Sequence, residues 1–500
     1  MTSPPVWLST AFAALFAVGC GPARQSVAVV SGATEVISRE TGEAPQVYRD
    51  LVYLASDALA GRRAGTPGNE AAAEYIVAAL REAGAVPVGE GASMRVPVPL
   101  LRRGIVEEAS MSFGESRLRI GTDVVPLSYR SADVTAPLLY VPPEALADVG
   151  EEVVGTMVVT EAGDDSTAGD LREMLDLSAA RNERLANVGA VALVEVYRSP
   201  AVPFPRLQGG LNKAGFVLGG GARTQVPATY VKAGPVWDAL RRGRSAGTAA
   251  TLRLVAPDVE EVVSHNVAAT LPGTDPALAG EYVAVTAHFD HIGVTPRPGA
   301  ADSINNGARD NGMGTVALLE VARRFRENPG RRPLLLMAWT AEEEGLLGSA
   351  YWVEHPTVPL DQVAFNFNMD GAGYTDTTAV VFNGYDFTTV QGVMDAAVAK
   401  TGLTARPDPV PQYGLYGASD NVNLARAGVP AVNMAPGFEG FTDELMRYYH
   451  QPADEADAVS PTYLQKYADA AVAAVRAVAD ADDVSWNLRS EALREFVDLD

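Results

Sequence analysis

Thiol chemistry is nearly missing from this chain, which has one cysteine, Cys20, in 500 residues. No intrachain disulfide can form, and thiolate metal sites are excluded. Positive charge is short: 39 Lys and Arg against 62 Asp and Glu leave a net charge of −23. That balance argues against nucleic acid or anionic lipid as partner, and selects no substrate by itself. Beyond the N-terminal region no apolar run is long enough to span a membrane. The glycine-rich residues 209–221 lack phosphate-loop spacing and read as a loop. Gly-x-Ser-x-Gly is not seen near a strand-to-helix turn, so no serine nucleophile is supported. Histidine is sparse, with only His265, His288, His291, His355 and His450.

What is present begins with an apolar run, residues 6–18, followed by Gly19 and Cys20. The run suits the apolar core of a signal peptide. Ala17-Val18-Gly19-Cys20 resembles a bacterial lipobox, although no Lys or Arg precedes the run and Ala17 stands where Leu is usual. Residues 1–20 are therefore expected to direct export to a bacterial cell envelope, periplasmic or cell-surface. A lipid on Cys20 would be the only membrane contact. Residues 21–45 are polar and read as a linker.

The length suffices for two or three domains. Helical spacing covers 70–83, with Asn69 as its expected cap. Short strand-like runs follow over 96–129, and a helix is expected over 171–188. From Asn266 onward strand, loop and helix alternate. Strands are expected at 282–287, 333–340, 363–369, 379–383 and 429–434. Helices are expected at 314–326, 345–354, 389–401 and 461–479, with Ser419 capping another up to 427. Alternation of this kind predicts an α/β fold with a mostly parallel central sheet and helices on both faces.

Chemistry-bearing residues stand just past these strands. His288 and Asp290 follow the first, Glu342 and Glu343 the second, Asp370 the third, and His450 lies in the long loop after the last. In open α/β sheets such residues converge beyond the carboxyl ends of the strands. Imidazole and carboxylate without thiolate are zinc's remaining donors. Two ions need a bridging carboxylate, for which Asp310 is the candidate. His288 with Asp370, and Glu343 with His450, complete the pair of sites. Asp290 lies two residues after His288, so in extended chain it can accept the imidazole N–H and orient the ring. Glu342 is the candidate general base toward a metal-activated water. The other readings are plainer: His265 and His355 as surface or satisfied residues, His291 as structural, and Asp454 and Asp457 as solvated loop acids.

The segments Ala287-His288-Phe289-Asp290-His291, Gly307-Ala308-Arg309-Asp310-Asn311-Gly312, Ala341-Glu342-Glu343-Glu344-Gly345, Asn368-Met369-Asp370 and Tyr449-His450 stand in this order. In that order they resemble the co-catalytic zinc aminopeptidases of the aminopeptidase Y and bacterial leucyl aminopeptidase type. Leu54-Ala55-Ser56-Asp57-Ala58-Leu59-Ala60-Gly61-Arg62 is similar to the N-terminal signature of exported members. Asn182-Glu183-Arg184-Leu185-Ala186-Asn187-Val188-Gly189-Ala190 resembles a step of a protease-associated domain. The resemblance implies a zinc exopeptidase fold, two zinc ions and peptide substrates with a free N-terminus. It also implies a division into 46–125 and 255–485 for the peptidase, with a smaller β-rich protease-associated insertion at 126–254. Ser419-Asp420-Asn421 departs from the Ser-Asp-His of many members, outside the five expected ligands. Carboxypeptidase or glutaminyl cyclase chemistry on the same scaffold, and a receptor-like binding protein, are the rival expectations.

Overall fold

The computed structural model describes residues 44–163, 171–198, 202–219, 225–243, 245–299 and 301–497. The expected signal peptide, Cys20 and nearly all of the linker lie outside them. Among the described residues no helix is long and apolar enough to cross a membrane.

The larger sheet is built from β1 (Arg95–Arg103), β2 (Gly215–Leu218), β3 (Glu260–Leu271), β4 (Tyr282–His288), β5 (Leu334–Trp339), β6 (Val363–Met369), β7 (Ala379–Asn383), β8 (Thr404–Pro407) and β9 (Ala431–Pro436). Their order across the sheet is β8-β7-β9-β6-β4-β5-β3-β1-β2. The middle strands β9, β6, β4 and β5 run parallel. Antiparallel β7 and β3 flank them.

β5 reads Leu-Leu-Leu-Met-Ala-Trp and is buried throughout, as a strand covered on both faces must be. Its side chains alternate between layers. Leu334, Leu336 and Ala338 join the larger core with α1 (Gln46–Leu54), α2 (Pro67–Glu82), α3 (Met313–Glu327), α5 (Gln391–Ala399) and α7 (Pro461–Asp480). Leu335, Met337 and Trp339 pack on the opposite face against Trp352 of α4 (Leu347–Glu354) and Leu424 of α6 (Asn421–Arg426). The molecule is thus a mixed α/β structure with helices on both sides of this sheet. Truncating a fully buried leucine such as Leu336 to alanine would cost about 2–5 kcal/mol.

Two local expectations are corrected. Thr66, not Asn69, caps α2, accepting from the Asn69 N–H with Pro67 next in line. Asn69 is buried instead, and donates to the Arg62 carbonyl at 3.0 Å. Residues 209–221 are not all loop: a helix, Phe204–Leu211, ends there, and β2 follows. The apolar run Phe216-Val217-Leu218 outweighs the surrounding glycines, because Phe216 fills a core with Val98 and Leu100.

A second sheet of eight strands lies between Glu108 and Val255, with its own core around Met111, Val159, Val194, Trp237 and Leu252. Its helices are Leu171–Asn187, Phe204–Leu211 and Pro235–Gly243. β2 leaves this region to pair antiparallel with β1, tying it to the larger sheet.

Candidate metal centre

The chain reverses direction around β4. Its parallel neighbours are β5 on one side and β6 on the other, so a crevice opens beyond their carboxyl ends. His288 is the last residue of β4. Glu342 and Glu343 come just after β5, and Asp370 directly follows β6. Asp310 arrives from the turn Ala308–Gly312 that leads into α3. His450 arrives from the loop before α7, in a left-handed conformation, φ 56°. Ala341 and Leu346, bracketing the two glutamates, are left-handed as well. Such backbone conformations in non-glycine residues tend to gather where a side chain must be aimed.

The polar atoms sort into two groups, His288–Glu342–Asp370 and His291–Asp310–Glu343–His450, each with its donor atoms within 4.8 Å of one another. Asp310 reaches toward both. Its Oδ1 lies 3.5 Å from His288 Nε2 and its Oδ2 lies 3.3 Å from His450 Nε2. His288 Nε2 is also 3.1 Å from Asp370, and His450 Nε2 is 3.2 Å from Glu343. Six of the seven sequence-derived residues, all but Asp290, therefore fall in these two groups.

Around them the supporting contacts differ from expectation. The His288 Nδ1 lies 3.2 Å from the Asp290 carbonyl, whereas the Asp290 carboxylate is 3.8 Å away. β4 ends at His288, so the following turn brings the carbonyl closer than the side chain. The carboxylate instead accepts the Glu342 N–H at 3.1 Å and so holds the base of the acidic loop. His291 sits 2.6 Å from Glu343 through Nδ1, which places it beside the site. Asp454 is buried, not solvated, and accepts the N–H groups of Arg309 and Asp310. Ser419 does not cap a helix but donates to Asp370. Asn421 is buried at the start of α6 and donates to the Tyr416 carbonyl at 3.0 Å. Glu344 turns away to Arg63 and the Phe216 N–H, which separates it from its two neighbours. His265 pairs with Glu70 and Arg95, and His355 stacks on Tyr351, both outside the cluster.

Beneath the cluster lies Arg62. It is fully buried, and its guanidinium donates to the carbonyls of Phe289, Asn306 and Gly307 at 2.7, 2.6 and 3.0 Å. Gly307, also left-handed, has no room for a side chain: a Cβ there would stand 2.5 Å from the His291 ring.

Proton affinities follow from crowding. Burial pushes Glu342 well above the usual carboxylate range, with the His288 charge opposing. Burial likewise raises Asp290 to about 8 and Asp420 to about 7. Burial works against charge on His450, but its hydrogen bonds to Asp310 and Glu343 raise it to about 10. Protons on imidazole thus hold the acids together, in positions where divalent cations would serve the same electrostatic purpose.

Residues 266–475 match the model of peptidase family M28. The matched stretch holds His288, His291, Asp310, Glu342, Glu343, Asp370 and His450. Aminopeptidase YwaD of Bacillus subtilis is 30% identical over 200 residues, 39% of this chain and 40% of that protein. A vacuolar membrane protease of Lachancea thermotolerans is 31% identical over 144 residues, 29% of this chain and 13% of that one. The matches thus span less than half the length of these relatives. Among solved structures, the aminopeptidase from Aneurinibacillus sp. strain AM-1 superposes with TM-score 0.55 at 21% identity, covering 91% of this chain and 98% of that chain. The two share a fold.

Proposed function

We propose that this chain is an M28-type zinc-dependent aminopeptidase that removes the first residue from peptides with a free N-terminus. The observation that carries the reading is Asp310, whose two carboxylate oxygens face different imidazoles. A bridging acid between two cations needs that arrangement. His288 and Asp370 would hold one ion, Glu343 and His450 the other, with Asp310 shared. The donor set of imidazole nitrogen and carboxylate oxygen, without thiolate, fits zinc. Two zinc ions bound there would supply Lewis acidity and make a water nucleophilic near neutral pH.

The chain's own residues supply the rest. Glu342 lines the cavity and is held at its backbone by Asp290. Its raised proton affinity suits a base that takes a proton from the attacking water and returns it to the leaving amine. Ser419 and Asn433 fix Asp370, through its carboxylate and its carbonyl respectively. His291 orients Glu343. The acids around the cavity attract the substrate's α-ammonium, and Phe438, Phe441 and Tyr449 narrow the space for a longer chain on that side. The name of the Bacillus relative, an aminopeptidase, supports the same class. Delivery to the cell envelope, with a lipid on Cys20, belongs to this proposal and rests on residues 6–20.

The test pairs free-amine dipeptides with their N-acetylated twins. Cleavage of the free forms alone, lost to a chelator and restored by zinc, is expected. Cleavage of the acetylated twins, or of neither, would overturn the aminopeptidase reading.

A further inference from the structure

The cavity beside the acids has an apolar wall, with Leu415, Ala435, Phe438 and Phe441 among its lining residues. One residue of that lining does not fit an aliphatic pocket. Asn383 ends β7, is only 5% exposed, and borders the same cavity. Its Oδ1 is buried with no hydrogen-bond partner among the described residues.

The neighbouring strand explains why. Asn383 stands directly opposite Asn433 in the antiparallel β7–β9 ladder. Opposed residues in such a ladder place their side chains on the same face. Asn433 turns its amide to other partners. Its Nδ2 donates to the Asp370 carbonyl at 3.0 Å, and its Oδ1 accepts from Asn368 at 3.1 Å. Asn383 thus lies one strand away from an acid of the metal centre, with its own amide unspent. Gly384 next to it is packed under the Tyr416 ring, with no space for a Cβ, so the strand end is held firmly.

A buried amide without a partner is costly, and an apolar side chain of similar shape would remove that cost. Its presence in a substrate cavity therefore points to a ligand that completes it. We propose that Asn383 is a specificity-determining residue that selects a first substrate residue whose uncharged side chain ends in a carboxamide, asparagine or glutamine. The inference rests on the aminopeptidase reading and gives its substrate class. A carboxamide offers both a donor and an acceptor, the complement of the Asn383 amide. Its stem lies along Leu415 and Phe438. Charged side chains are disfavoured, since among the described residues no Lys or Arg lines the cavity to meet an acid, and the apolar wall strips water from a base.

The experiment measures kcat/KM of the zinc-loaded full chain on Asn-Ala against Leu-Ala, and on Gln-Ala against Met-Ala, each pair matched in size. The same ratios are taken for N383L and N383A. Expected is a fall of the carboxamide-to-aliphatic ratio by about 10- to 100-fold in both variants, since a pocket built to bond a polar group discriminates steeply. A ratio unchanged within about twofold overturns the inference while leaving the aminopeptidase reading intact. No release of any first residue by the wild-type chain overturns both. Should a variant fail to fold, inhibition of the wild-type enzyme answers the same question. Asparagine amide binding more tightly than leucinamide supports the inference, and the reverse order overturns it.

Discussion

Two buried ionic clusters in this molecule are built on opposite principles. In the second sheet, Glu195 meets Arg181 at 3.0 Å and also accepts from Ser178. Arg181 spends its remaining donors on the carbonyls of Glu161 and Gly163, and Tyr230 meets Ser178 at 2.9 Å. One acid faces one base, and each has partners. At the rim of the larger sheet, Asp290, Asp310, Glu342, Glu343, Asp370, Asp420 and Asp454 gather around three histidines. Asp290 Oδ2, Asp420 Oδ2 and His291 Nε2 are buried with no hydrogen-bond partner among the described residues. A balanced cluster needs nothing further, and it serves the fold. An excess of buried acid is tolerated only where cations complete it, and such imbalance marks function.

The sharpest way to break that contrast is Glu342→Gln. It removes one charge from the unbalanced cluster without removing a proposed zinc donor. Turnover should fall about 10²- to 10⁴-fold, while metal analysis finds zinc unchanged. Activity near the wild-type level would deny Glu342 its role as base.

The balanced cluster should respond through stability instead. Arg181→Met leaves Glu195 buried without its counter-charge, which costs about 3–5 kcal/mol. Urea unfolding should reveal the loss, and zinc content of the folded fraction should not move. A stability loss below about 1 kcal/mol would mean that the pair is no more than a surface-like contact.

How much of this was legible in the chain depends on where each signal resides. β4, β5 and β6 were legible because a strand buried on both faces is a continuous apolar run. The residues just past those runs then had to meet. Seven site residues followed from that geometry and from a family resemblance. The supports were not legible. His291 and Glu343 are 52 residues apart, and Asp454 and Asp310 are 144 apart. No local pattern distinguishes a buried Asp454 from a solvated loop acid. Asp290 was expected to turn its carboxylate to His288, but the end of β4 brings its carbonyl closer instead. β2 was hidden because four residues between glycines carry too short a pattern. Asn383 was read only as the end of a strand, since its missing partner exists only in three dimensions.

A smaller effect separates holding a donor from being one. His291→Gln removes the ring beside Glu343 but leaves the proposed zinc donors in place. Zinc affinity should fall about 10- to 100-fold, as for other groups that orient a metal-binding side chain. Saturating zinc should still give two ions per chain. A single ion at saturation would make His291 a direct donor, and the pairing of Glu343 with His450 would need revision.

The smallest expected effect concerns the zinc-free protein and pH. Burial raises Asp454 to about 6, Asp420 to about 7 and Asp290 to about 8, from ordinary values of 3.8. His450 is raised from 6.5 to about 10 against the pull of burial, by its bonds to Asp310 and Glu343. In each case the folded chain binds more protons than the unfolded chain between the two values. Stability from these groups is therefore fully present on the acid side and is lost as pH rises. Glu343, depressed by its histidines, acts oppositely, but only below the ordinary carboxylate value of 4.5. With chelator present, the unfolding midpoint should fall by several degrees between pH 5.5 and 8.5 on scales of about 2–4 °C per kcal/mol. Zinc should reverse the slope, because its donors must shed protons to bind it. Asp420→Asn should flatten the chelated profile without touching a proposed zinc donor. A chelated profile that is level, or that rises with pH, would mean the excess of buried acid carries no cost in the absence of metal, and the contrast between the two clusters would lose its physical basis.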